Sequence, residues 1–280
     1  NNLKQWGLVY KMYSNESKGQ VYPPFQLGGF RTQNGALEDV IDVGPLVFAL
    51  YPEYLTDPMI TFCPSDAELD EAIDDAKDAN GEWCFGYAAS GGGDCARAID
   101  ASYGYLGWVI DRAECGDPTQ LLSSFSSLGV LASMLGVPGD ILNTEVSSQF
   151  GTLFDAIVTA ALPYIGSPPD GLVEAADEDI SGVSPNGNGG GDTIYRLREG
   201  IERFMITDIN NPAASAKAQS EIWIMFDQLA TTPSAYNHIP GGANVLYLDG
   251  HVQFLRYGDC EPAPANRSSA VLVGVLTTES

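Results

Sequence analysis

The side chains best suited to chemistry in this chain are its two histidines, His238 and His251. Together with Asp249 they could form a metal site of two histidines and one carboxylate, and either could join a serine in a catalytic triad. Structural roles are more common, with His251 beside a turn and His238 capping a loop. Since the sequence also lacks the G-x-S-x-G, H-E-x-x-H and G-x-G-x-x-G motifs, we predict that the protein is not an enzyme.

The cysteines follow neither zinc-ribbon nor thioredoxin spacing, because no C-x-x-C pair is present and no histidine lies at ligand spacing from any pair. They are Cys63, Cys84, Cys95, Cys115 and Cys260. In an exported protein this odd number allows two disulfides and one remaining thiol. Cys84 and Cys95 could close a small disulfide loop, and the other pairings stay open.

The chain is strongly acidic, with 37 acidic residues against 13 basic ones and a formal charge of -24. Such a charge repels nucleic acids and anionic membranes, so we expect neither as a partner. It is compatible with high solubility, with divalent cations or with a cationic partner. Residues 66–80 carry seven of these carboxylates, and because the order of EF-hand ligands is absent, a solvated helix face is favoured over a calcium cluster.

The elements that must position the histidines are predicted near the C-terminal end. Residues 221–227, 243–248 and 251–257 are apolar runs that predict strands, and the Asp249-Gly250 pair predicts a two-residue hairpin turn. At the other end of the chain, apolar residues at spacings of three and four predict an amphipathic helix; they are Leu3, Trp6, Val9, Tyr10 and Tyr13.

In the middle of the chain the pattern changes from runs typical of strands to the spacing of helices. Residues 83–90 and 101–111 are aromatic, glycine-bounded runs typical of strands. Two runs of helical spacing follow between residues 117 and 164, and the polar, glycine-rich residues 181–192 predict a flexible linker. The sequence therefore predicts four parts. Residues 1–116 form the first part of a core, 117–190 a helical hairpin insertion with its linker, and 191–261 the second part of the core. Residues 262–280 are a linker with an apolar tail that could add an edge strand.

Both ends of the chain resemble one family. The opening NNLKQWGLVYKMYSNES, followed by YPP, resembles the segment after the hydrophobic helix of bacterial prepilin-type proteins. The segment YNHIPGGANVLYLDGHVQF resembles the C-terminal signature of the prepilin-type processing-associated family, a histidine, a nine-residue spacer and Asp-Gly; here ten residues form the spacer. Internal segments such as FCPSDAE and SYGYLGW are similar to members from planctomycete-like bacteria. The motif residues are His238, Gly241, Gly242, Asp249, Gly250 and His251.

The resemblance implies an α+β, pilin-like fold in which an N-terminal helix packs on an antiparallel sheet. The first half of that helix, which anchors such proteins in a membrane or filament core, is not in this chain, and we expect that a preceding segment was removed or omitted. It further implies a non-enzymatic subunit of an extracellular type IV pilus-like filament or type II secretion pseudopilus, exported to the cell surface and assembling with copies of itself or other pilin-like subunits. Likeness to pseudopilins also implies calcium, with Asp227 and Asp249 as candidate ligands.

The sequence leaves a second function open. The protein could be a secreted surface binding module in which the helical insertion, residues 117–190, recognises a partner or a glycan.

Overall fold

An amphipathic helix opens the structure, a computed structural model that describes residues 1–91, 93–205, 219–229, 238 and 241–277. This helix, α1 (Asn2–Glu16), buries Leu3, Trp6, Val9 and Tyr10 on one face. The spacing of these side chains by three and four residues matches the helical repeat. The predicted N-terminal helix is therefore confirmed.

The other helices and the strands of the described part follow in chain order. The helices are α2 (Leu69–Asp75), α3 (Ser126–Met134), α4 (Gly139–Leu142), α5 (Ser148–Ala161) and α6 (Arg267–Thr277). The strands are β1 (Phe25–Arg31), β2 (Leu37–Pro45), β3 (Tyr103–Tyr105), β4 (Thr119–Leu121), β5 (Glu145–Ser147), β6 (Gly171–Leu172), β7 (Ile180–Ser181), β8 (Thr193–Ile194), β9 (Trp223–Asp227), β10 (Gly242–Tyr247) and β11 (Val252–Arg256).

The strands form antiparallel sheets, which confirms the α+β class. The sheet that positions the histidines has four strands in the order β11-β10-β9-β3. A second sheet has the order β2-β1-β6, and the short pairs β4-β5 and β7-β8 complete the described sheets.

The four-stranded sheet is covered on both faces. Met225 and Leu246 pack in one hydrophobic cluster with Trp6 and Tyr10 of α1. Trp223 and Phe226 point to the opposite face, where they pack in a second cluster with the helices α5 and α6. A bulge at Ile224 shifts the register between β9 and β10. Because both faces are buried, β9 is a continuous apolar run and does not alternate.

The segment predicted as an insertion shares this second cluster. Its helices α3 and α5 pack on each other, and the Phe150 ring of α5 lies 6.1 Å from the Trp223 ring of β9. A helical pair within residues 117–190 is thus present, and it forms the cover of one sheet face.

The predicted hairpin is confirmed, but its turn has three residues. The Tyr247 amide donates to the His251 carbonyl at 3.0 Å, and the Gly250 amide donates to the Tyr247 carbonyl at 2.8 Å. Leu248, Asp249 and Gly250 therefore form the loop, with Gly250 in the left-handed region at φ +88°. A three-residue loop that ends on a left-handed glycine matches the strand twist.

The apolar tail is a helix, so the predicted edge strand at residues 270–276 is wrong. The Asn266 side chain accepts a hydrogen bond from the Ser269 amide at 3.0 Å and caps the first turn of α6. Ala270 and Val273 are fully buried against the core. Because short apolar runs have no distinctive period, only these tertiary contacts decide between helix and strand.

Two further predictions are wrong. Residues 83–90 form turns and not a strand, since the disulfide between Cys84 and Cys95 closes this stretch into a loop. Residues 181–192 are not a flexible linker. Asn188 is buried, and its side-chain amide donates to the Val109 carbonyl at 2.8 Å. A polar side chain that satisfies buried backbone groups orders the loop around it.

The cysteine prediction is confirmed for Cys84 and Cys95, which form a disulfide with an S–S distance of 2.04 Å. Cys115 and Cys260 form a second disulfide, and Cys63 is the remaining thiol. Two disulfides are typical of proteins that fold in an oxidising, exported environment.

A buried carboxyl group lies between the two sheets. Asp100 is 4% exposed and accepts a hydrogen bond from the Val43 amide at 2.8 Å. Burial raises the pKa of Asp100 to about 6, and burial together with the charge of Asp100 raises the pKa of Asp42. Because the pKa of Asp100 lies above that of an aspartate in the unfolded chain, the protonated Asp100 contributes stability that is complete below about pH 4 and is lost as the pH rises through about 6.

Asp100→Asn should therefore raise the free energy of unfolding at pH 7 by up to about 3 kcal/mol and flatten its decline between pH 4 and pH 7. Urea unfolding at several pH values measures this. Asp70→Asn, at an exposed position on α2, is the control and should keep the wild-type profile. An Asp100→Asn profile equal to that of the wild type would contradict the assignment.

Candidate functional site

Three side chains with metal-binding or nucleophilic chemistry meet at one end of the four-stranded sheet. They are Cys63, Asp227 and His238, and each offers one ligand atom within 4.8 Å of the other two. The Cys63 sulfur lies 3.6 Å from His238 Nε2, and Asp227 Oδ2 lies 2.9 Å from the same nitrogen. We refer to this group as the Cys-Asp-His cluster.

Asp227 is positioned by its place at the end of β9. It pairs with Tyr103 of β3 on one side. On the other side, the backbone amide of Asn244 donates to Asp227 Oδ2 at 2.7 Å, and the Asn244 side chain donates to the same oxygen at 2.8 Å. The carboxylate is therefore held between two neighbouring strands.

Cys63 is positioned by α1. The side chain of Asn2 donates to the Phe62 carbonyl at 2.8 Å, and the Trp6 indole donates to the Ile60 carbonyl at 3.1 Å. These bonds hold the 3-10 helix Pro58–Thr61 and the residues after it against the start of α1. The thiol consequently faces the end of β9.

His238 is positioned by the glycine pair of the C-terminal motif. The Gly241 amide donates to the His238 carbonyl at 3.0 Å. At Gly242 the backbone has φ +154°, and an added Cβ would lie 1.9 Å from the Leu255 carbonyl oxygen of β11. Glycine is required there because no side chain fits between the strands.

Burial controls the charges of the cluster. Asp227 is 2% exposed and Cys63 is 3% exposed. Burial raises the pKa of Asp227, whereas the hydrogen bond from the Asn244 backbone and the charge of His238 oppose the rise. Burial also raises the pKa of the Cys63 thiol, and the charge of Asp227 adds to it. A thiol with a raised pKa is a poor nucleophile.

The cluster does not have the geometry of a Cys-His-Asp triad. In a triad the histidine receives the nucleophile's proton on one ring nitrogen and is oriented by the carboxylate on the other. Here Cys63 and Asp227 face the same nitrogen, Nε2 of His238. The three side chains and Asn244 form a hydrogen-bonded group around His238 Nε2, since the Asn244 side-chain amide also lies 3.3 Å from that nitrogen. The ligand atoms of Cys63, Asp227 and His238 are close enough to one another to share one metal ion.

His251 and Asp249 lie at the opposite end of β10. The His251 ring stacks on Tyr247 with 4.4 Å between centroids, and its Nδ1 lies 2.6 Å from Asp249 Oδ1. Three residues of strand, roughly 10 Å, separate Tyr247 from Asn244 beside Asp227. The hypothesised site of two histidines with Asp249 is therefore not formed, and the calcium candidates Asp227 and Asp249 cannot share one ion.

Sequence reasoning did not place Cys63 in the site. It is 175 residues from His238, whereas metal-binding motifs are recognised by short spacings along the chain. The Asp-Gly turn and the glycine pair locate His238 and the end of β9. Cys63 lies beside them only because α1, through Asn2 and Trp6, holds the segment before it against the sheet. No local signal in the sequence connects it to the histidine.

Within the described ranges, no helix has both the length and the apolar character needed to span a membrane.

Comparisons with other proteins identified no relative of this chain. Searches against protein-family models, curated proteins and solved structures found no match.

Proposed function

We propose that this protein is a non-enzymatic structural or assembly subunit of an extracellular type IV pilus-like filament or type II secretion pseudopilus. The observation that carries the proposal is the packing of α1 across the antiparallel sheet. A Cβ added at Gly7 would lie 3.3 Å from Leu246 Cδ1 of β10, so the glycine lets the helix approach the sheet closely. The Tyr10 hydroxyl lies 3.4 Å from the Met225 sulfur on β9.

Other properties support an exported subunit. The disulfides Cys84–Cys95 and Cys115–Cys260 stabilise a chain that folds outside a reducing compartment. The net charge of -24 keeps single subunits soluble. The Cys-Asp-His cluster lacks triad geometry, which supports a role without catalysis.

The outer face of α1 is the surface proposed for assembly. Leu8 is 61% exposed and Met12 is 39% exposed, and side chains four residues apart lie on the same side of a helix. In an assembled filament this face would contact copies of the same chain or other pilin-like subunits.

A photo-crosslinking amino acid at Leu8 should test this assembly in the native cells. We expect crosslinks to a second copy or to another pilin-like subunit, and immunogold electron microscopy should place the protein on filaments or the envelope. The control position is Met134 of α3, which is 77% exposed. A dispersed monomer without crosslinks from Leu8 would contradict the proposal.

The second candidate is a surface binding module that uses residues 117–190. It is favoured by apolar side chains that this segment exposes: Val130 at 55%, Met134 at 77% and Ile165 at 65%. The same experiment separates the two functions. Crosslinks from Met134 to an unrelated protein or glycoconjugate, with none from Leu8, would favour the binding module.

A further inference from the structure

We propose that Cys63, Asp227 and His238 form a binding site for a zinc-class divalent cation. This site does not depend on the filament function, since it is argued from the distances and burial of its own three side chains. It also gives the motif histidine a role, which is to supply a metal ligand.

The distances fit a tetrahedral ion. With ordinary Zn–S and Zn–N bond lengths, a sulfur and a nitrogen on one zinc ion lie about 3.5 Å apart. The observed separation between Cys63 Sγ and His238 Nε2 is 3.6 Å. A nitrogen and an oxygen on the same ion would lie about 3.3 Å apart. The 2.9 Å between His238 Nε2 and Asp227 Oδ2 is the length of a hydrogen bond, which a bound ion would replace.

The donor atoms select the class of metal. Calcium and magnesium take oxygen ligands, whereas a thiolate and an imidazole bind zinc and similar metals. Thiolate and carboxylate together carry two negative charges, which a divalent cation neutralises. The Cys63 thiol loses its proton when it binds, and the cation neutralises the resulting charge at two side chains that are only 3% and 2% exposed.

The surroundings hold the ligands in place. Asn244 donates two hydrogen bonds to Asp227 Oδ2, as residues behind metal ligands commonly do. The His238 side chain is 26% exposed, so the cluster opens to solvent on this side. A cation can enter there, and a water or a partner's side chain can complete four-coordination.

Titration of the chelator-treated, disulfide-bonded chain with Co²⁺ and then Zn²⁺ tests the site. We expect one equivalent of Co²⁺ to give the visible absorption of a tetrahedral ion and a thiolate charge-transfer band, both removed by Zn²⁺. The band reports Cys63, because the other four cysteines are in disulfides. Calcium should not displace the cobalt.

Matched variants decide the assignment. Cys63→Ser should remove the charge-transfer band, and His238→Gln should weaken Zn²⁺ binding at least about 100-fold by calorimetry. His251→Gln changes the other histidine, at the far end of β10, and should bind Zn²⁺ like the wild type. His238 is partly exposed, so its variant should fold, which circular dichroism checks. Unchanged Zn²⁺ binding in folded His238→Gln, or loss of binding in His251→Gln, would overturn the proposal.

Discussion

Replacing Arg196 with methionine should lower the free energy of unfolding by about 3–5 kcal/mol. Arg196 is 1% exposed. Its guanidinium donates to the carbonyls of Tyr22 at 3.0 Å, Pro23 at 2.9 Å and Gly107. Methionine fills much of the same volume but removes the donor from all three carbonyls, of which those of Pro23 and Gly107 each keep one other hydrogen bond.

The guanidinium also explains why lysine is not an adequate replacement. Its Cζ lies over the Trp108 ring, 4.9 Å from the ring centroid, and its Nη2 lies 3.2 Å from Asp177 Oδ1. A single ammonium group cannot donate in all these directions, because it lacks the planar fork of arginine. Arg196→Lys should therefore lose stability as well, though less than the methionine variant.

Guanidinium chloride or urea unfolding measures these losses. Arg31→Met is the matched control, since Arg31 pairs with Asp170 at the surface, where both side chains are more than half exposed. Such pairs contribute at most about 1 kcal/mol. Equal losses at Arg31 and Arg196 would contradict the role assigned to the buried guanidinium.

Removing the disulfide between Cys115 and Cys260 should lower the free energy of unfolding by about 5 kcal/mol in the chain-entropy account. The bond joins residues 145 positions apart, and it restricts the unfolded chain more as that separation grows. Both cysteines are exposed. The double variant Cys115→Ala/Cys260→Ala therefore loses little packing, and the measured loss reports the closed loop.

Unfolding of the double variant beside the oxidised wild type checks this prediction, and near-ultraviolet circular dichroism shows whether the native packing is kept. Cys63→Ser, compared with the wild type in the presence of a chelator so that no bound metal contributes, is the control that removes a sulfur without opening a disulfide. A loss below about 1 kcal/mol in the double variant would contradict the entropic account.

Elements defined by local patterns could be predicted from the sequence. The spacing of Trp6 and Tyr10 predicted α1, and the Asp249-Gly250 pair predicted the hairpin of β10 and β11. Each depends on residues that are near neighbours along the chain, so its physical cause is visible in a short window. The disulfide between Cys84 and Cys95 could be predicted for the same reason, since only a short loop separates the two residues.

Elements whose conformation depends on burial could not be predicted in this way. The apolar pattern of residues 270–276 left an edge strand possible, but these residues are part of the helix α6. The cap at Asn266 was the available signal, but the decisive cause is the core that α6 covers, to which α5 and β9 also contribute.

The two histidines show the same division. The sequence by itself determined that His238 precedes a glycine pair and a strand, and that His251 follows a turn. Only the tertiary structure decided which groups they face: His251 remains with Asp249 at the turn, whereas His238 meets Cys63 and Asp227. The reason is physical. The start of α1 binds the segment before Cys63 and packs on the sheet, which places the thiol beside His238, 175 residues away in the chain. This contact depends on the burial of apolar faces and not on local spacing.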